Sequence, residues 1–598
     1  MRPRLRADVR YVKSPDGVYV RGAAGACTLT GGASYEWLDR LAPFLTGEHV
    51  LDDLVEPLRG DQRAVVEHLV RSLMEQRLLV DAQDDEPHSL TEEEQRVYAP
   101  EIAFLRYAGN SAEHRFERLR SARIALVGHG PVMAALLEAG LRSGWRRVVV
   151  WADDEEVDAL RAVGRAAVRD SAQDVVIGPE PAAEPDADLV LCVSDRMEDL
   201  VAAARFGARA ALGQVLVGAD EVWVTAVGPP ERVAAEGCWQ RLGAPRGGDG
   251  GLMTGPVPGI VAAHVVMSCF HYLTESDVPG EPVLTRIDLR DLSARTHRPL
   301  PYTFAMDVGA DAVAEVDRVD ERLVDGRVGV LRELDEGELP QVPLAVCRAS
   351  VSDPGLVLPA WAPAPRVVGW GVDRERARWH TVLAALATYG SLVDRGGERV
   401  DLLTGLPCLA APVPGRAPYR APVGVAAGRS WGDAVTAGLR AWCEALLVEQ
   451  ADPGRPCDLD AVVRSCGDER AAELLRLVRA AGVEVVSEDL GHVLGVPAVA
   501  LRVGGASVVT CAATAGEALR DGLERVLLRW QCDPWDGPVV TRWVTEGRRV
   551  PVVEDSRCRA LVGALRRVGR VPVAVPLVAD DAVRERVPCL VRVVVDGD

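Results

Sequence analysis

Lysine is almost absent: Lys13 is the only one among the 68 basic residues of this 598-residue chain. No internal lysine remains for a phosphate-binding loop or a Schiff base, so both chemistries are excluded. Thirteen cysteines stand singly, with no Cys-x-x-Cys spacing, which argues against a zinc knuckle. Their odd number, together with a start (Met1-Arg2-Pro3-Arg4) that opens onto no apolar stretch, leads to an expected cytoplasmic location. Long apolar runs are missing too. The longest, such as Ile260–Met267, fall far short of a bilayer, so no membrane partner is expected. Positive charge is in deficit, with 88 acidic residues giving a formal charge of −20. A general nucleic-acid binder needs a basic face, and none is expected here.

What the chain does have is apolar content, 48% of residues, enough for several cores. Its length corresponds to roughly three to five domains. In the first 82 residues, apolar and polar positions alternate on either side of Ser14-Pro15-Asp16-Gly17, which predicts a hairpin. A third strand is expected over Ala26–Thr30. Helices should follow from Ser34 to about Phe44, over Asp52–Leu58, and from Asp61, where Val65, Val66, Leu69, Val70, Leu73 and Met74 recur at helical spacing. Leu78–Val80 closes the unit as a strand. This is a winged-helix-like order, but the third helix carries Glu67, His68, Arg71 and Glu75 and is too poor in positive charge for DNA.

A polar, acidic linker over Asp81–Thr91 leads through a helical connector into a block of alternating strands and helices. The strands are expected at 124–127, 148–151, 174–177, 188–191 and 221–224, as in a largely parallel α/β sheet. Its first turn keeps two glycines, Gly128 and Gly130 around His129. Pro131, however, removes an amide donor, and Met133 stands where a third glycine would allow close packing. Asp153 or Asp154 follows the second strand, where an acid that binds ribose is expected. His264, Cys269 and His271 on an apolar helix read as core residues rather than ligands.

From these residues the block resembles the ThiF-like adenylating family found among heterocycle-forming peptide maturation proteins. The resemblance extends to Val227-Gly228-Pro229 and Cys238 in a zinc-binding region, but Arg241 occupies the second cysteine position and the family's Asn…Arg-Gln element is absent. Residues from Val367 onward resemble YcaO-type cyclodehydratases, in which glutamates on helices hold Mg²⁺ and ATP. Here Ala384, Ala387, Thr388 and Ala441 stand at positions of that pattern, while Glu444 and Glu524 remain, with a solvated helix face as their expected setting. The Pro-rich tail of active members is missing after Asp598. The first 82 residues resemble the precursor-peptide recognition element of ribosomal-peptide maturation systems, which adds a leader peptide as a strand beside its third helix. That resemblance implies a receiving strand at Ala26, Cys27 and Leu29. It also implies apolar contacts at Val66, Val70 and Met74, and acidic-leader contacts at Arg63 and Arg71, with Arg77 beyond them.

The expected fold is multidomain α/β and α+β: a recognition element over 1–82, a connector over 83–116, a ThiF-like Rossmann-type domain over 117–279 and a YcaO-like domain over 280–598. The expected function is capture of a precursor's leader peptide and presentation of its core Cys, Ser or Thr to a separate YcaO cyclodehydratase. In that reading the chain has no catalytic residue, cofactor or metal of its own, and a homodimer is left open. The alternative is a self-sufficient, fused, ATP-dependent cyclodehydratase.

Overall fold

The computed structural model describes residues 1–6, 8–22, 25–179, 186–203, 210–229, 237–242, 251–276, 283–304, 319–359, 361–394, 399–401, 407–408, 421–449, 454–532, 555–587 and 589–595. The chain forms two compact units. The first comprises 1–234 with 246–296, and the second 235–245 with 297–598.

The first unit opens with the expected hairpin. Strands β2 (Arg10–Ser14) and β3 (Gly17–Gly22) pair antiparallel, and β4 (Gly25–Thr30) extends them into a three-stranded sheet. Gly17 has φ +155°, and a Cβ there would meet the Leu29 carbonyl oxygen at 2.0 Å, so this turn requires glycine. Helices α1 (Ser34–Leu41), α2 (Leu51–Val55) and α3 (Gly60–Glu75) follow. The last strand, β5 (Leu79–Asp81), pairs with β1 (Pro3–Leu5), which no sequence pattern announced. The core is built from Val18, Val20, Leu38, Leu73 and Leu78, all fully buried, with the stripe Val66, Leu69 and Val70 of α3 turned into it.

Helices α4 (Glu92–Val97), α5 (Ala99–Ala108) and α6 (Ala112–Ser121) connect this element to an eight-stranded sheet. Its strands β6 (Arg123–Gly128), β7 (Arg147–Trp151), β8 (Asp174–Gly178), β9 (Leu189–Ser194) and β10 (Ala211–Val217) run parallel. Strands β11 (Glu221–Thr225) and β12 (Leu284–Asp288) continue the sheet antiparallel, and β13 (Ala294–His297) lies at its edge. The sheet therefore extends beyond residue 279. Every residue of β9 is buried, as a strand covered on both faces demands. Helices α7 (Pro131–Ser143), α8 (Val157–Ala167) and α9 (Met197–Ala203) lie in the crossovers between strands. The short α10 (Cys238–Leu242) counts with the second unit, whereas α11 (Val257–Leu273) packs on α7 in the first.

The second unit is α+β. A three-stranded sheet of β14 (Leu331–Asp335), β15 (Ala345–Val351) and β16 (Arg366–Gly371) packs against α12 (Arg374–Val393). Because α12 is apolar almost all round, it is central, and Ala377 and Trp379 through Gly390 are buried along it. Strands β17 (Arg399–Asp401), β18 (Pro407–Cys408), β19 (Val425–Gly428), β24 (Pro572–Pro576) and β25 (Cys589–Val595) form a five-stranded sheet. A four-stranded sheet is made of β20 (Arg455–Pro456), β21 (Val486–Asp489), β22 (Ala498–Val503) and β23 (Ala506–Cys511). Around these sheets lie α13 (Trp431–Glu449), α14 (Leu459–Cys466), α15 (Glu469–Ala480), α16 (Ala515–Gln531) and α17 (Ser556–Arg567).

Candidate functional site

Three places carry the residues singled out in the sequence. In the N-terminal element, β4 is an end strand, and its outer edge has no strand partner among the described residues. Its alternation turns Cys27 and Leu29 toward the core, half-buried, and leaves Ala26, Thr28 and Thr30 exposed. Burial raises the pKa of the Cys27 thiol above its ordinary value. Met74 of α3 packs half-buried against the same core. Val66 and Val70 do not join this surface: both are fully buried and have no area to offer a peptide. The helical stripe that made them look like contacts is the stripe that closes the element's own core. Of the cations on α3, Arg63 is held by Glu67 at 2.8 Å, whereas Arg71 is exposed and forms no ion pair among the described residues.

The second place is the end of the parallel sheet. β9 lies on one side of β6 and β7 on the other, so the strand order reverses at β6, where open α/β sheets form a crevice. A cavity of about 350 Å³ opens there, lined by Gly128, His129, Trp151, Asp153, Asp154 and Asp199. Gly128 has φ +133°, and a Cβ would strike the Val193 carbonyl oxygen at 2.0 Å, so the first glycine serves strand packing. The second leaves its amide free for an anion, but the anion comes from the chain: Gly130 N–H donates to the two Glu156 carboxylate oxygens at 2.9 and 3.2 Å. Met133 is fully buried in the core behind α7. An acid-lined cavity whose free amide already faces a carboxylate disfavours a polyphosphate.

Residues 230–236 of the zinc-like region, and the side chain of Cys238, lie outside the described residues. Arg241, at the second cysteine position, is fully buried in the second unit. Its guanidinium donates to Asp580 and to the Leu300 and Pro301 carbonyls, and sits against the Tyr389 hydroxyl, which donates to Asp580 at 2.6 Å. Charge and hydrogen bonds tie this corner together. His264 is exposed, His271 pairs with Ser276 and Cys269 is buried, and no three His, Cys, Asp or Glu side chains converge as metal ligands among the described residues.

The third place is the set of helices that the YcaO-type resemblance assigns to Mg²⁺ and ATP. Ala384, Ala387 and Thr388 are buried in α12, the two alanines within the main apolar core. A carboxylate at either alanine would be buried in that apolar core. Glu444 is not on the solvated face expected for it. It is buried, and both its oxygens take the Arg525 guanidinium at 3.0 and 3.1 Å. One turn away on each helix Arg440 pairs with Asp521, making two crossed ion pairs between α13 and α16. Desolvation alone would lower the Arg440 pKa, but Asp521 and Glu444 raise it and keep the group charged. Glu524 is 1% exposed and accepts the Trp370 indole N–H at 3.1 Å. Glu444 does not fit the metal that the resemblance implies, because the Arg525 guanidinium takes its charge, while Glu524 gives one oxygen to the Trp370 indole N–H. The last residues of the tail region, 596–598, lie outside the described residues.

With this geometry in place, the comparisons with known proteins can be weighed. No protein-family model matches the chain, and no curated protein matches it. Among solved structures it is similar to a heterocyclase in complex with substrate and cofactor, at 15% identity and a TM-score of 0.59. The likeness covers 100% of this chain and 94% of that one. The heterocyclase TruD is similar at 14% identity and a TM-score of 0.56, again over 100% of this chain and 94% of that one. E. coli MccB solved with ATP covers 50% of this chain and 97% of its own length, at 11% identity and a TM-score of 0.38, too weak to bear on function. The fold is thus that of the heterocyclases across the whole chain. This runs against the expected non-catalytic subunit: the two neighbours above, matched over the full chain, are named as heterocyclases. No helix among the described residues is long and apolar enough to cross a membrane.

Proposed function

We propose that the chain is a peptide heterocyclase that carries recognition and catalysis in one polypeptide. It takes hold of a ribosomally made precursor peptide and closes Cys, Ser or Thr side chains onto the preceding backbone carbonyl carbon. Each ring forms one C–S or C–O bond and breaks the carbonyl C–O bond as the amide C–N becomes C=N, so the peptide loses the elements of one water: the carbonyl oxygen, the thiol or hydroxyl proton and the amide proton. The observation that carries this reading is the full-length likeness to a heterocyclase solved with substrate and cofactor, which spans both units of this chain.

Capture is assigned to the open edge of β4. An added strand would gain backbone hydrogen bonds along that edge, with its alternate side chains over Cys27 and Leu29. Met74 extends the apolar ground, and the uncommitted Arg71 favours a peptide with an acidic residue nearby. Because Glu444 and Glu524 are already engaged by Arg525 and Trp370, neither is assigned to a metal or to a reacting atom.

The test uses the purified chain, its precursor and ATP, with the product read by mass spectrometry. Loss of one water per cyclisable residue supports the reading, and an unchanged mass with fully folded protein contradicts it. Peptide capture is measured separately by fluorescence anisotropy of a labelled leader segment.

A further inference from the structure

The polar stretch Asp81–Thr91, which the sequence presents as a linker, is tied down along its length, and Asp85 is at its centre. Its carboxylate takes both terminal nitrogens of Arg4 on β1, at 2.6 and 3.2 Å, and accepts the Ser111 N–H at the start of α6, at 2.7 Å. The Ser111 hydroxyl accepts the Glu86 N–H at 2.9 Å. Ser111 makes both contacts at φ +58°, a left-handed conformation that a residue with a side chain rarely takes. Further along, His114 donates to the Pro87 carbonyl, Glu117 accepts the Ser89 N–H, and Leu90 is buried in the core of the parallel-sheet domain. Thr91 caps α4 with Glu94, whose other oxygen faces the buried Arg120.

The apolar cores on either side of this strap are separate. Buried core residues of the recognition element run from Val9 to Leu79, those of the sheet domain run from Leu90 to Leu289, and the two sets share no residue. Both domains nonetheless belong to one compact unit. The strap therefore carries the orientation of one on the other. Its hydrogen bonds lie partly in solvent, where each adds little net stability, but they are directional.

We propose that Asp85 and Ser111 are positioning residues: they hold the recognition element in one pose, so that a peptide added to β4 leaves that edge in one fixed direction. This rests on the peptide-cyclising reading. A loose tether would let the captured peptide sample many directions, and each unproductive one slows ring closure without altering capture.

Hydrogen exchange of the full chain tests the fixed pose without any peptide. The bonded amides of Ala82, Gln83, Asp85, Glu86, Ser89 and Thr91 are expected to exchange as slowly as the β1–β5 pair, and open-chain exchange overturns the proposal. In the precursor assay, Asp85→Ala is expected to leave the Kd for the leader unchanged and to lower kcat for ring formation about tenfold or more. Asp85→Asn keeps an acceptor for Ser111 and should restore part of that rate. Glu117→Ala, which frees only Ser89, is the milder variant should Asp85→Ala misfold, and should lower kcat in the same direction. A loss of leader affinity that matches the loss of rate, or an unchanged kcat in both alanine variants, overturns the proposal. A protected strap in a chain that forms no ring supports the fixed pose and contradicts the cyclising reading.

Discussion

Glu444 is a carboxylate whose sequence position suggests one chemistry and whose surroundings impose another. Its oxygens face Arg525, and removing one partner of such a buried pair leaves the other charged and unsolvated. Glu444→Gln is therefore expected to destabilise the fold by about 3–5 kcal/mol, measured by urea unfolding. By the same account, Mg²⁺ or a chelator should leave the melting temperature of the native chain unchanged. Glu336 gives a second test. Hydrogen bonds from Arg378, and then from Arg374, outweigh burial and hold its pKa at about 2, below the ordinary 4.5. A depressed folded pKa means that this stabilisation is complete above pH 4.5 and is lost as the pH falls toward 2. Glu336→Gln should flatten that part of the acid-unfolding curve, and an unaltered curve would show that the pair contributes nothing. The residues themselves were legible in the sequence. Their partners were not, because Arg525 lies 81 positions from Glu444 and no local period links them.

At the scale of elements, the N-terminal hairpin, the strand ending at Thr30 and the apolar stripe of α3 all follow from short-range periodicity, and the structure contains each of them. Two things escaped that reading. The pairing of β1 with β5 joins the ends of the element, a contact that three-residue strands cannot advertise. The second was which side of α3 meets solvent: helical spacing marks an apolar face without saying whether it binds a peptide or the chain's own core. Val70, fully buried, answers for the core. Val70→Ala should cost on the order of 2 kcal/mol through lost contacts and a cavity. Arg71→Glu, at an exposed position, should change stability by less than about 0.5 kcal/mol. It should nonetheless weaken capture of an acidic leader in the anisotropy titration, and unchanged affinity would remove Arg71 from the proposed contact. In the parallel sheet, β10 was missed although its neighbours were placed. Its run Ala-Leu-Gly-Gln-Val-Leu-Val is interrupted by Gly213 and Gln214, and the buried side-chain amide of Gln214 donates to the Leu200 carbonyl, contributed from α9.

For the whole molecule, a sequence can display a loss of ligands more readily than a retained architecture. The alanines of α12, with Pro131 and Met133 at the glycine turn, pointed toward a binding partner without chemistry of its own, whereas the fold matches heterocyclases from end to end. Those two observations bear on different things. The first removes particular groups from the list of metal ligands, and the second describes the frame in which any catalytic groups are held. The most direct measurement follows the mass of a precursor peptide incubated with this chain and ATP, with no second protein present. The account predicts the loss of one water for each ring formed, abolished when the leader segment is deleted from the precursor. A precursor of unchanged mass, bound tightly by the folded chain, would contradict it.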